Sequence, residues 1–432
     1  MDIMKKKVVF AVLANFIYGF LYAEFFFSGF SGAKLDFKLY DPLAAQENAD
    51  ETNSSEVENE TVNPNLEMSA FFSGQFNISN NIIIRTEFSV KTFDLISNSI
   101  FDSHSRKVIN STFQIDEISM LVRGQMLHSM NYFSVFLGTY EPIGSDIFLR
   151  RQFGLNSISS KITESWMGMA GAIIYPLFGL GISDVVHFDK QPIAAGAYIY
   201  FNKEDPGYVF NADMRFGCAY RFFTLDVSAG LGFPLLSSER EDAYIFVEKI
   251  YSRAGLNMLI GNSYTTSFFL QAGFSKLPFY KSSDKSTDID DVEFYFLLEP
   301  RFKLSMVEMD ITFFSLPADT VSNFIFVRET LGVNINVFTD KFLIKNSSML
   351  FGANTEIGFR TKNCLDFSHI SDWFEDENGM KDLKIAIAPY IETQLFTGEI
   401  HAMIQIDITQ FINEPINWFK AFELNLGYKV QF

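Results

Sequence analysis

Residues 423–432, ELNLGYKVQF, alternate strictly between two kinds of side chain. One parity is apolar or aromatic: Leu424, Leu426, Tyr428, Val430 and Phe432. The other is polar or small: Glu423, Asn425, Gly427, Lys429 and Gln431. A period of two is the signature of a β-strand with two different faces. The stretch therefore predicts a two-faced strand that carries an aromatic residue at its end.

The same alternation recurs along the chain, in the runs 66–78, 82–91, 210–218, 292–303 and 400–409. These runs exceed the roughly 5–6 residues of a typical soluble strand and suit a tilted bilayer-spanning strand of roughly 9–11 residues with extensions. Charges almost never fall on the apolar parity, where an Arg or Lys at the bilayer midplane would cost roughly 2–4 kcal/mol. The pattern predicts an all-β fold, a transmembrane antiparallel β-barrel.

The N-terminal sequence MDIMKKKVVFAVLANFIYGFLYA, residues 1–23, has the parts of a secretory signal peptide. Lys5, Lys6 and Lys7 form the basic region, residues 8–20 the apolar region, and Ala23 the small residue before cleavage. The alternative is a single N-terminal anchor helix, for which the apolar region is short. No later segment has 18 uninterrupted apolar residues, so no transmembrane helix is predicted.

About eighteen alternating runs follow from residue 66, so the predicted barrel spans residues 66–432. Because single-chain bacterial barrels normally have an even number of strands, we expect 16 or 18, with 14 as the main alternative. Residues 165–233 are the ambiguous part, since short Gly-rich runs there can be merged or divided. The connection 142–165 either lies outside the barrel or folds into its lumen.

Residues 24–65 form a separate N-terminal element. Its first part, EFFFSGFSGAKLDFKLY, is either a first strand or an element packed inside the barrel. Its second part, residues 41–65, has seven acidic residues and no basic residue. Such a segment cannot bury enough apolar surface to fold alone. It is therefore either a flexible linker or a plug that enters the lumen.

Composition excludes several classes of function. The formal net charge of −18 disfavours nucleic-acid binding, which requires a basic surface. Two cysteines form neither a disulfide framework nor a zinc site. No phosphate loop, dinucleotide fingerprint, zinc-protease helix or nucleophile elbow is present. The sequence predicts a protein that is not an enzyme, with no catalytic residue, no cofactor and no metal.

The stretch NLGYKVQF resembles the C-terminal strand signal of bacterial outer-membrane β-barrel proteins. The residues that carry the resemblance are Asn425, Gly427, Val430 and Phe432. The resemblance implies that the barrel-assembly machinery recognises this strand. It also implies that the protein is integral to the outer membrane, surrounded by its lipid, with extracellular loops exposed at the cell surface.

The polar parity of the predicted strands should line the lumen and is where function would lie. The candidate lumen-lining residues are Arg85, Glu87, Lys91, Asp213, Arg215, Glu293, Glu299, Arg301, Lys303, Glu399, His401, Asp407 and Lys429. Arg123, Glu308, Asp310, Glu356, Arg360, Glu392 and Glu423 share this parity. Rings of charge set the ion selectivity of pores. The excess of carboxylates therefore predicts a mild cation preference.

Three functions fit these features. The first is a porin-like channel for passive uptake of small hydrophilic solutes. The second is a transporter of hydrophobic substrates such as fatty acids, since size and architecture are similar to those of the long-chain fatty acid transporter family, which has 14 strands and an N-terminal hatch. The third is a surface-exposed adhesin or structural barrel. The solute and the choice between a monomer and a trimer stay open.

Overall fold

The chain is all-β in the computed structural model. The described residues are 26–39, 64–92, 95, 111–126, 129–163, 174–188, 190–204, 207–237, 245–247, 249–262, 265–281, 293–344, 347–361, 383–413 and 415–432. The predicted signal peptide (1–23) and almost all of the acidic stretch (41–65) lie outside them.

All strands belong to one antiparallel sheet. The first ten are β1 (Phe26–Lys38), β2 (Asn65–Ser79), β3 (Ile82–Thr92), β4 (Ser111–Met126), β5 (Ser129–Thr139), β6 (Phe178–Phe188), β7 (Ile193–Glu204), β8 (Gly207–Tyr220), β9 (Phe223–Ser237) and β10 (Ile245–Val247). The other ten are β11 (Lys249–Gly261), β12 (Ser267–Lys281), β13 (Glu293–Leu304), β14 (Val307–Ser315), β15 (Leu331–Thr339), β16 (Phe342–Ile344), β17 (Ser347–Phe359), β18 (Leu383–Leu395), β19 (Gly398–Asp407) and β20 (Phe422–Gln431).

The sheet closes on itself. Each strand pairs with its neighbours along the chain, β9 continues to β11, β15 continues to β17, and β20 returns to β1. Of the 20 strands that the described residues form, the three-residue strands β10 and β16 lie outside the ring, which therefore has 18 members. A closed ring leaves no unpaired edge, as a bilayer-spanning sheet requires. The predicted barrel is confirmed at the upper end of the predicted strand number.

The two ends of the barrel differ in the length of their connections. One end has tight turns, including 80–81, 221–222, 305–306 and 396–397. The other has the long connections, including 39–64, 140–177, 316–330, 360–382 and 408–421. Outer-membrane barrels usually have short periplasmic turns and long extracellular loops. The tight-turn end is accordingly the periplasmic one.

Burial follows the alternation that the sequence shows. On β20, Leu424 and Leu426 are 42% and 43% exposed on the outer wall, whereas Asn425 between them is 3% exposed. On β14, Phe313 is 44% exposed and Thr312 only 1%. Apolar side chains thus face outward and polar side chains inward. This is the wall of a membrane barrel, because a soluble barrel would reverse the two faces.

The seam between β1 and β20 closes the ring. Residues 30–38 of β1 pair with residues 423–431 of β20, and the backbones of Gly29 and Phe432 exchange two hydrogen bonds of 2.9 and 3.0 Å. The Phe432 ring lies 5.1 Å from the ring of Phe27 and 6.0 Å from that of Phe72. Residues 26–38 therefore form the first strand of the wall, ahead of the predicted start of the barrel at residue 66.

The helices in the described part of the chain are short. α1 (Ile147–Phe153) lies in the connection between β5 and β6, and α2 (Ile408–Asn413) follows β19. Two 3-10 helices, Val321–Asn323 and Pro415–Ala421, lie in the connections after β14 and β19. Among the described residues, no helix is both long and apolar enough to cross a bilayer.

The seam yields a stability prediction. Phe432→Ala removes the ring contacts with Phe27 and Phe72 and should lower the free energy of unfolding by about 1–2 kcal/mol. The measurement is equilibrium urea unfolding of the protein refolded in detergent micelles. The matched control is Phe396→Ala, because Phe396 is 90% exposed in a tight turn at the same end. Equal losses in the two variants would contradict the assigned role of the seam aromatic.

Candidate functional site in the lumen

The connection after β5 folds into the barrel, and we call residues 140–163 the first inner segment. Its sequence places Ile147, Phe148 and Leu149 between residues 144–146 (GSD) and 150–152 (RRQ), and all three are at most 3% exposed. Phe148 and Leu149 belong to a buried apolar cluster with wall residues that include Phe136. Burying these side chains holds the segment against the wall, because leaving each in water would cost roughly 1.5–3 kcal/mol.

Local hydrogen bonds give the first inner segment its shape. α1 ends at Gly154, whose φ of 62° is in the left-handed region that glycine favours, and whose N–H donates to the Arg150 carbonyl. The Asp146 carboxylate accepts the backbone N–H of Ile158 at 2.8 Å and so closes the loop around α1. Burial raises the pKa of Asp146, although Arg150 and the Ile158 N–H act in the opposite direction.

A buried ion pair ties the first inner segment to the wall. Arg215 of β8 forms a two-pronged contact with Asp226 of β9, with distances of 2.7 and 2.5 Å. The same guanidinium donates to the backbone carbonyls of Glu141 (2.7 Å) and Ser145 (2.9 Å). Asn257 of β11 donates to the Ser145 carbonyl as well. One arginine thus joins two wall strands to the inner segment.

A second ion pair involves a cation of the segment itself. Arg151 of α1 contacts Glu117 of β4 at 2.6 Å and lies 3.7 Å from Glu141. Burial alone would lower the pKa of Arg151, but Glu117 and Glu141 outweigh burial and raise the pKa. Arg151 is therefore charged at every physiological pH. Tyr198 of β7 donates to the Glu141 carboxylate at 2.5 Å.

The far end of the first inner segment binds β13. Arg301 contacts Glu299 at 2.7 Å and donates to the backbone carbonyls of Ile158 and Ser159. The Ser160 hydroxyl donates to Glu299, whose carboxylate also accepts from Thr312. Two predicted lumen residues, Glu299 and Arg301, thus anchor a connection to the wall.

A second connection, residues 316–330 between β14 and β15, also folds inward, and we call it the second inner segment. Phe324, Phe326 and Val327 are at most 8% exposed within the largest buried cluster. Glu356 of β17 accepts the backbone N–H groups of residues 328 and 329, each at 3.1 Å. The Phe326 carbonyl accepts from Asn334 at 3.0 Å.

As far as the described residues show, the two inner segments leave one side of the lumen open. A polar cavity of about 560 Å³ lies between α1 and the wall formed by β2 to β5. It is lined by Ser73, Gly74, Gln75, Ile83, Arg85, Glu87, Leu121, Arg123, Tyr132, Ile147, Arg150, Arg151, Gln152, Gly154 and Leu155. Water and small polar solutes can occupy such a space, because its lining supplies hydrogen-bonding groups on both sides.

The structure places the sequence-predicted lumen residues in different surroundings. Arg215, Glu299 and Arg301 hold the first inner segment, whereas Arg85 and Glu87 border the polar cavity. Four others form ion pairs away from the inner segments: Asp213 with Arg253 at 2.6 Å, Glu293 with Lys276 at 2.6 Å, Lys303 with Glu308 at 3.3 Å, and Glu399 with Lys341 at 2.6 Å.

The remaining four predicted lumen residues are dispersed. Lys91 is exposed near the end of β3 that lies on the side of the long connections. The Lys429 ammonium lies 4.8 Å from the Phe30 ring, and Asp407 accepts the backbone N–H of Gln410 at 2.9 Å. His401 is 3% exposed, stacks on Tyr390, and has its Nδ1 3.7 Å from a Glu392 carboxylate oxygen. Within the described residues, no group of three or more His, Cys, Asp and Glu side chains is arranged to hold a metal ion.

Several lumen residues escape a strand-based prediction. Arg150 and Arg151 belong to a connection, where alternation carries no information. The apolar runs inside polar connections, residues 147–149 and 324–327, are the signal that could have located both inner segments. Asp226 lies on the inward parity of β9, and its partner Arg215 becomes apparent only from the register between β8 and β9.

The tether at Arg215 yields a prediction. Arg215→Met leaves Asp226 buried without its cation and should lower the free energy of unfolding by about 3–5 kcal/mol. The substitution should also speed tryptic cleavage after Arg150 and Arg151, because these residues of α1 become more accessible to trypsin when the first inner segment is no longer held against the wall. Urea unfolding and timed proteolysis measure the two effects.

The matched control is Lys276→Met, which breaks a more exposed pair and should cost about 0–1 kcal/mol. Adding Asp226→Asn to Arg215→Met should recover part of the loss, since no uncompensated charge then stays buried. Unchanged proteolysis in Arg215→Met would show that the inner segment does not depend on this tether.

Comparison with known proteins gives no family assignment. No family model matches the chain, and no curated protein matches it. Among solved structures, the chain is similar to Pseudomonas aeruginosa OccK8 (OprE) at 7% identity and a TM-score of 0.45, over 95% of this chain and 98% of that one. It is also similar to Escherichia coli Wzi, a carbohydrate-binding β-barrel involved in group 1 capsule assembly, at 9% identity and a TM-score of 0.43, over 98% and 87%.

A third similar structure is Pseudomonas putida OprB, at 8% identity and a TM-score of 0.40, over 94% of this chain and 93% of that one. With identities this low, the fold assignment rests on the chain's own strand register and on its apolar outer wall. By those features the chain is an integral outer-membrane β-barrel with porin-like architecture.

Proposed function

We propose that the protein is an outer-membrane channel through which small hydrophilic solutes diffuse passively. The observation that carries the proposal is the polar cavity of about 560 Å³, which stays open beside α1 although two chain segments fill other parts of the lumen. A water molecule takes about 30 Å³ of liquid volume. The cavity therefore suits a small hydrated solute and excludes a macromolecule.

The anchoring of the first inner segment supports a permanent constriction. Arg215, Arg301 and Arg151 each join the segment to the wall through buried charged groups. Releasing such a segment would leave several buried charges without partners at once, which costs free energy. The constriction therefore narrows the lumen at all times, and passage depends on the size and charge of the solute.

Transport of hydrophobic substrates has less support. The apolar side chains of both inner segments are packed in buried clusters, so they offer no continuous apolar surface to a substrate within the described part of the lumen. The large apolar cavity, of about 1000 Å³, is bordered by outward-facing residues such as Phe296, Phe313 and Ile357. It therefore opens toward the bilayer.

Two further expectations stay predictions. The mild cation preference is the prediction from composition alone, and the arginines that border the open part of the lumen argue against it. Recognition of β20 by the barrel-assembly machinery is supported by the position of this strand at the closing seam.

Single-channel conductance in a planar bilayer tests the proposal. The refolded protein without its predicted signal peptide should give steady open conductance. Replacing residues 144–160 with a short Gly-Ser linker removes the constriction and should raise the conductance severalfold. The replaced residues include those bound by Arg215 and Arg301.

The control variant lacks residues 41–63, which lie outside the described part of the chain. If this stretch is a linker, its deletion leaves the conductance unchanged. A silent wild type that conducts only after this deletion would identify a plug. A folded protein that is silent in all three forms would refute the channel.

A further inference from the structure

Four arginines border the polar cavity beside α1. Arg85 of β3 and Arg123 of β4 come from the wall, and Arg150 and Arg151 come from the first inner segment. The cavity therefore has guanidinium groups on two opposing sides. Its acidic neighbours are Glu87 in the lining and Glu117 and Glu141 beside Arg151.

The acidic groups at the cavity already have partners. Glu117 accepts from Arg151 at 2.6 Å and from Ser119 at 2.6 Å, and Glu87 accepts from Ser73 at 3.0 Å. These two carboxylates are direct cross-strand neighbours of β3 and β4. Glu141, the third carboxylate, accepts from Tyr198 at 2.5 Å and lies 3.7 Å from Arg151. Together the three carboxylates balance about three of the four positive charges.

Three of the four arginines, Arg85, Arg123 and Arg150, have no ion-pair partner among the described residues. Arg85 donates to the side-chain oxygen of Gln75 at 3.1 Å, a neutral partner, and its buried Nη1 has no hydrogen-bond partner. Arg123 and Arg150 have no carboxylate within 4.0 Å among the residues that the structure describes. A guanidinium fork without a carboxylate is matched in shape and charge to a carboxylate or phosphate ligand.

The arginines are arranged along the path of a solute. Arg123 lies beside the tight turn, where its backbone N–H donates to the Asn81 carbonyl at 2.7 Å. Arg85 is opposite Ser119, and Arg151 is one step farther from the turn, at the level of Glu117. An anion moving through the cavity would thus meet guanidinium groups at successive depths.

From this geometry we propose that the cavity is a binding site for small anions of the carboxylate or phosphate class, which makes the channel anion-selective. The inference rests on the proposed channel function. Leu121, Ile83 and Leu155 in the same lining add apolar contacts that suit a short organic carboxylate.

The acidic net charge of the chain does not oppose this site. The Debye length is about 8 Å at physiological ionic strength. β3, at roughly 3.3 Å per residue, separates Thr92 at the end with the long connections from the tight-turn end near Arg123 by on the order of 30 Å. Salt screens charges at that distance, whereas the low-dielectric wall strengthens the field of the nearby arginines.

The reversal potential across a KCl gradient tests the selectivity. The wild type should prefer chloride to potassium. The double variant Arg123→Gln/Arg150→Gln should reduce the chloride-to-potassium permeability ratio about 16-fold. A unit charge about 10 Å away in water raises the local concentration of chloride roughly twofold and lowers that of potassium roughly twofold, so each charge changes the ratio roughly fourfold. The matched control is Arg221→Gln/Arg360→Gln, two exposed arginines outside the cavity lining.

Probe anions distinguish the ligand classes. Succinate and inorganic phosphate should each reduce the chloride current through the wild type and have less effect on the double cavity variant. A block by succinate alone assigns the site to carboxylates, and a block by phosphate alone assigns it to phosphates. A cation-selective wild type, or equal selectivity in both double variants, would overturn the inference while leaving the channel intact.

A silent channel would refute the proposed function without deciding the anion site. In that case, titration calorimetry of the detergent-solubilised protein with tripolyphosphate decides it. Binding that is lost in Arg123→Gln/Arg150→Gln and kept in the control pair would support the site. Absence of binding to the wild type would overturn it.

Discussion

A bilayer provides no water to backbone N–H and C=O groups, so every spanning strand must find partners on both sides. The whole structure depends on meeting this constraint at one place, the pairing of β1 with β20. Without it, both strands would present a row of unsatisfied groups to lipid. β20 therefore determines the fold through its backbone hydrogen bonds as much as through its side chains. Its apolar parity faces the acyl chains, and its register with residues 30–38 completes the ring.

Closure of 18 strands creates a second physical problem, because a ring of this size encloses more space than wall side chains can fill. The chain meets it by folding two connections inward. Each contributes a short apolar run to a buried cluster, and each exposes backbone groups that the wall satisfies with charged side chains. Buried charges in the wall thus have a structural role, because Arg215, Glu299 and Glu356 position chain segments that determine the shape of the lumen.

Much of the wall was predictable from the sequence, since a period of two carries both strand type and face. The exposed Leu424 and the buried Asn425 follow directly from their parity. The direction of each strand across the bilayer could be assigned only once residues 26–38 were known to be the first strand. Their antiparallel pairing with β20 closes the ring and places both termini of the barrel at one end. The polar cavity could not be predicted in the same way. It depends on where residues 147–153 lie in space, and no strand periodicity reports the path of a connection.

The same distinction governs the charge of the lumen. Composition sums carboxylates and cations over all inward positions, and that sum is acidic. Yet Glu117, Asp226 and Glu299 bind cations or backbone groups at the inner segment, so their charge is compensated locally. A solute meets the charged side chains that line the open side of the lumen. In that lining Arg85, Arg123 and Arg150 outnumber the carboxylates. Because electrostatic interactions weaken with distance and are screened by salt, the position of a few uncompensated groups decides the field in a narrow passage more than the net charge of the chain does.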